Sequence, residues 1–113
     1  MPDKEELYDE AIDLVADGKS EEAVARYRAA IELDPDYVDA WHGLALALAE
    51  LQRFDEAIEA GRKLAELEPD DPLSYTNLSR FYQQKGDIAE AEAWAAKARI
   101  ADWKQQLRDS DKQ

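Results

Sequence analysis

The chain has no cysteine, one histidine, one methionine, four glycines and four prolines in 113 residues. Without cysteine there is no disulfide framework and no thiolate chemistry. A single histidine, His42, excludes histidine pairs for a metal or a charge relay. The glycines are scattered singly, so no phosphate-cradling loop can form. No apolar run approaches the ~20 residues that a membrane span requires. The start Met1-Pro2-Asp3-Lys4-Glu5 has neither the basic nor the apolar part of a secretory leader. These absences predict a reduced, cytoplasmic setting, no cofactor, no metal and no enzymatic activity.

Basic residues are also scarce. There are 14 against 27 acidic ones, giving a net charge of −13. Residues 1–36 hold 12 acidic and 4 basic side chains, residues 37–71 hold 9 and 3, and residues 72–113 hold 6 and 7. The acidity therefore lies in the first two thirds. A field of that sign repels phosphate backbones and argues against nucleic acid as a partner. It suits a basic or partly apolar protein segment, or it simply solvates the surface. Asp9, Asp13 and Asp17 fall at helical spacing, but no calcium-loop spacing accompanies them. A solvated helix face is the simpler reading.

What the chain does have is a repeat. Pro35 and Pro69 are 34 residues apart. Leu7, Trp41 and Tyr75 keep the same step, as do Glu22-Ala23, Glu56-Ala57 and Glu90-Ala91. Gly18 and Gly86 are two steps apart, with Gln52 midway. Apolar residues at helical spacing place six helices at about Lys4–Asp17, from Ser20 to before Pro35, Val38–Leu51, Asp55–Glu68, Pro72–Lys85, and from Asp87 to about Arg108. Ser20 reads as the cap of helix two, and Asp87 with Glu90 as a capping box for helix six. Gly61 lies inside helix four, which points to close approach of the following helix. Residues 109–113 read as a frayed tail.

These matches resemble the tetratricopeptide repeat, a 34-residue helix–turn–helix unit. Repeat one carries Leu7, Ala11, Leu14, Gly18, Ala23, Tyr27, Ala30 and Pro35; repeat two carries Trp41, Leu44, Ala45, Leu48, Ala57 and Pro69; repeat three carries Tyr75, Leu78, Tyr82, Gly86, Ala91 and Ala98. Three departures stand out. Gln52 replaces the turn glycine, Gly61 and Ala95 replace an aromatic, and Trp103 replaces the last proline. The resemblance implies an all-α fold: three repeats at about 4–37, 38–71 and 72–105, in one domain over 1–108, forming a short right-handed α-solenoid. Arg99 and Ala101 stand where Ile31 and Leu33 stand in repeat one, which suits a terminal repeat.

The resemblance also implies a function. First helices of such repeats line a concave groove that holds a peptide of another protein. By register the groove here is lined by Tyr8, Ile12, Asp39, His42, Leu46, Leu73, Asn77 and Arg80. A carboxylate clamp of the co-chaperone kind needs several cations, and Arg80 alone is present. The alternative for Ile12 and Leu46 is packing between first helices. A second functional reading is structural: copies associating head-to-tail, with Trp94 and Trp103 at the contact. Those tryptophans either fold back onto the last repeat or form an exposed apolar patch. A monomer is the expected form under the first reading, a homo-oligomer under the second.

Overall fold

The structure, a computed structural model, describes residues 1–111. Six helices follow one another: α1 (Lys4–Ala16), α2 (Ser20–Leu33), α3 (Val38–Glu50), α4 (Phe54–Leu67), α5 (Pro72–Lys85) and α6 (Ile88–Asp111). Each packs on the next, and α1 also touches α3. The result is a slab of 45 × 37 × 22 Å. No helix pair could bury its apolar face alone, so stacking supplies one continuous core.

The three turns inside the repeats, α1–α2, α3–α4 and α5–α6, are copies of one another. Lys19, Arg53 and Asp87 donate their backbone N–H to Leu14, Leu48 and Tyr82, at 2.8, 2.9 and 2.9 Å. The residue before each has positive φ: Gly18 at 76°, Gln52 at 61° and Gly86 at 98°. This is the left-handed helix cap that satisfies the last carbonyls of the first helix. Glycine reaches it without strain, but Gln52 does not. These turns hold the entry to α2 and α4 without a side-chain cap. The cap position of α2 is Lys19, and Ser20 is a buried first residue of the helix, which corrects the expected Ser20 cap. Asp3, Asp71 and Asp87 do cap, accepting from the N–H of Glu6, Leu73 and Glu90.

Prolines and aromatics repeat together for a physical reason. Trp41 Nε1 donates to the Pro35 carbonyl at 2.7 Å, and Tyr75 Oη donates to the Pro69 carbonyl at 2.5 Å. A proline ends the helix, and its unpaired carbonyl accepts from the bulky residue six positions on.

Two glycines mark close approaches. A Cβ on Gly43 would run into the Tyr27 ring. One on Gly61 would lie 2.9 Å from Leu78 Cδ2 and 3.5 Å from Phe81 Cε2. The expected approach at Gly61 is therefore present, made by α5. Helix α6 runs on to Asp111, so residues 109–111 are helical where a frayed tail is expected; residues 112–113 lie outside the described residues. Leu33 is 57% exposed and Ala101 is buried, so the terminal-repeat argument from those two positions does not hold.

Replacing Gln52 by glycine should relieve left-handed strain of about 1–2 kcal/mol. The added freedom of the unfolded chain offsets about 0.4–1 kcal/mol of that. The expected result, read by urea unfolding, is a stabler chain with an unchanged m-value. A destabilised variant would contradict the turn geometry.

Candidate functional site

The first helices α1, α3 and α5 carry the residues singled out by register. Their exposed members form a pattern. Ile12 is 44% exposed and Leu46 is 40% exposed, and Arg80 is also exposed. These three occupy one register, 34 residues apart. Leu73 is 46% exposed two turns nearer the start of α5 than Arg80. Asp39 is exposed and His42 is half-buried on α3. Large apolar side chains left in water on one set of helices are not demanded by the core.

Two expected members behave differently. Tyr8 is half-buried in a tyrosine cluster, with ring centroids 6.0 Å from Tyr27 and 5.6 Å from Tyr37. Its ring is chiefly a packing element at the seam of repeats one and two. Lys4 closes that cluster, with Nζ 5.0 Å from the Tyr37 ring and 2.6 Å from Asp34 Oδ2. Asn77 is buried at 2% exposure, and its Nδ2 has no hydrogen-bond partner. It is therefore not displayed as a groove donor, which corrects the sequence reading. In register, Tyr27 and Gly43 recur as Gly61 and Asn77, so Asn77 stands on α5 where Gly43 stands on α3.

The two tryptophans divide. Trp94 stacks on Tyr75 with centroids 6.0 Å apart and planes 16° apart, so it folds back onto repeat three. Trp103 is 59% exposed on α6, beside Ile100 at 53% and Leu107 at 47%. Tyr37 carries no register signal; it reaches Tyr8 from the α2–α3 link, where its N–H donates to the Asp34 carbonyl at 3.1 Å.

The family model of the tetratricopeptide repeat matches residues 8–72, and a second model of the same repeat matches residues 60–93. The chain belongs to the tetratricopeptide repeat family. The human superkiller complex protein 3 is 31% identical over 78 residues, 69% of this chain but 5% of that protein. This tetratricopeptide repeat chain thus spans a small part of such relatives. Among solved structures, MamA superposes with a TM-score of 0.88 at 26% identity, over 93% of this chain and 61% of MamA. The type III secretion translocator chaperone SycD of Yersinia enterocolitica gives 0.80 at 26%, over 87% and 73%. Repeats of this family generally serve as protein-interaction scaffolds. No helix among the described residues is long and apolar enough to cross a membrane.

The tyrosine cluster makes the first seam sensitive to alkali. Burial pushes the Tyr27 phenol above its ordinary 10.0, with Tyr8 adding to the shift. Burial does the same to Tyr8, assisted by Asp39 and Asp9, and to Tyr37, assisted by Glu5 and Asp39. The folded state holds these protons longer than the unfolded chain does. Their stabilisation is thus complete below about pH 10 and is lost as pH rises through the raised values. Lys4, raised chiefly by its hydrogen bond to Asp34, acts in the same direction. The urea midpoint should fall steeply above about pH 10, and a Tyr8→Phe, Tyr27→Phe variant should fall less. An equal fall in both proteins would exclude the tyrosines as its cause.

Proposed function

We propose that this chain is a non-catalytic scaffold that binds a peptide segment of another protein along the face of α1, α3 and α5. The observation that carries the reading is the exposed row Ile12, Leu46 and Arg80, with Leu73 beside it. Apolar contacts with one placed cation suit an extended or helical segment. Asp9 and Asp39 are exposed near the start of the row. A segment with apolar anchors, basic towards repeat one and acidic at Arg80, is the best match in charge. Similarity to a secretion translocator chaperone supports an adaptor or chaperone-like role. The absence of cysteine fits a reducing compartment, so the proposed setting is the cytoplasm, with neither nucleic acid nor membrane as partner.

A second reading is self-assembly through the terminal repeats. It draws on Trp103, Ile100 and Leu107, three exposed apolar residues on the last turns of α6. It requires a size that grows with concentration.

The groove reading is tested by capture from an extract, followed by titration of the captured protein's binding segment as a synthetic peptide. A triple variant, Ile12→Ser, Leu46→Ser, Arg80→Glu, changes only exposed positions and should keep its helicity. Binding should weaken at least tenfold, since a lost contact worth about 1.4 kcal/mol already gives that factor. Equal affinity for parent and variant would contradict the groove. If Trp103→Ser instead abolishes concentration-dependent association, self-assembly takes precedence.

A further inference from the structure

We propose that the recess between α4 and α6 is a second binding site, for an acidic peptide segment carrying an apolar side chain. It is a cavity of about 490 Å³. The stacked rings of Tyr75 and Trp94 line it, with Ile100 alongside. Four cations surround them: Arg62, Lys97, Lys104 and Arg108. Only two carboxylates share the recess, Glu66 and Asp70. Both have basic neighbours, Arg108 at 3.5 Å from Asp70 and Lys63 at 3.9 Å from Glu66. Lys97 Nζ lies 4.1 Å from the Trp94 ring centroid, and the Arg62 guanidinium lies 5.6 Å from it. On a chain of net charge −13, this recess therefore carries an excess of positive charge.

The repeat supplies an internal control. One period earlier, Arg28, Trp41, Ala60 and Lys63 line a recess of about 290 Å³. They are the register counterparts of Arg62, Tyr75, Trp94 and Lys97. There Glu56 and Glu59 balance the two cations. Moving to the last repeat, Glu59, Ala60, Glu66 and Asp70 give way to Ala93, Trp94, Ile100 and Lys104. Acid is removed, and an aromatic, an aliphatic and a base take its place. The change depends on Trp103, which stands in the register of Pro69. With no proline there, α6 continues and carries Lys104 and Arg108 to the rim.

Packing alone does not call for this set. Ile100 is 53% exposed. Cations beside aromatic faces, facing a partly enclosed apolar floor, recognise a carboxylate next to an apolar side chain. Basic segments are repelled. The site is thus opposite in charge preference to the acidic start of the α1–α3–α5 face, and its occupancy does not depend on that face.

The test is fluorescence anisotropy with an end-blocked, dye-labelled peptide of glutamates flanking one leucine. One control peptide has lysines for the glutamates, and another has serine for the leucine. Saturable binding of the glutamate–leucine peptide is expected. It should weaken about tenfold or more in a Lys97→Glu, Lys104→Glu variant, which should gain binding of the lysine peptide. Ile100→Ser should reduce affinity to that for the serine peptide, and Arg80→Glu should leave binding unchanged. Absence of saturable binding, equal binding of the lysine peptide by the parent, or equal loss in Arg80→Glu would each overturn the proposal. Sedimentation velocity without peptide adds a further outcome. Association of the parent that Lys97→Glu, Lys104→Glu abolishes would assign the recess to a second copy and overturn the proposal.

Discussion

The fold depends on how closely a second helix can approach the first helix of the next repeat. At the first seam the Tyr27 ring fills the place where Gly43 has no side chain. At the second seam the glycine is on the other helix, and Leu78 and Phe81 close over Gly61. Helix separation depends on the side chains at the contact, and interiors are packed too densely to absorb an extra methyl group freely. These two contacts therefore set the spacing of α1, α3 and α5, and with it the register of Ile12, Leu46 and Arg80. Small residues elsewhere serve the same end. Ala11, Ala23, Ala45 and Ala57 are buried at 0 or 1% exposure.

The same constraint explains why the repeat can vary where it does. The turn needs a left-handed residue but makes few side-chain contacts, so Gln52 is tolerated at a cost in strain. The proline ends a helix and offers a carbonyl to the next aromatic. Where Trp103 replaces it, nothing stops α6, and the helix extends along the edge of repeat three. A change of one residue type thus lengthens a helix and alters the charge of a recess.

Much of the architecture is legible in the sequence because the period is written in residues with narrow backbone or packing roles. Gly18, Gly86, Pro35 and Pro69 punctuate the chain, and Leu7, Trp41 and Tyr75 mark the seams. What the sequence conceals is partnership across the seam. Ser20 looks like a cap, but the turn already satisfies the helix start. Asn77 looks like a displayed donor, but it is buried. Tyr8 has the right register for ligand contact, yet Tyr27 and Tyr37 hold it from the side. The recess at Trp94 has a readable signal: Ala93, Ile100 and Lys104 stand in the register of Glu59, Glu66 and Asp70.

The seam contact is tested most directly by a double-mutant cycle on Tyr27 and Gly43. In the parent, Gly43→Ala forces a methyl group into the Tyr27 ring and should cost about 1–3 kcal/mol by urea unfolding. In a Tyr27→Leu background the ring carbons that would clash are gone. There Gly43→Ala should be neutral or stabilising, because alanine favours the helix by about 1 kcal/mol. A large coupling energy is the predicted result. The same cost for Gly43→Ala in both backgrounds would contradict the account, because the approach of α2 and α3 would then not be set by this ring.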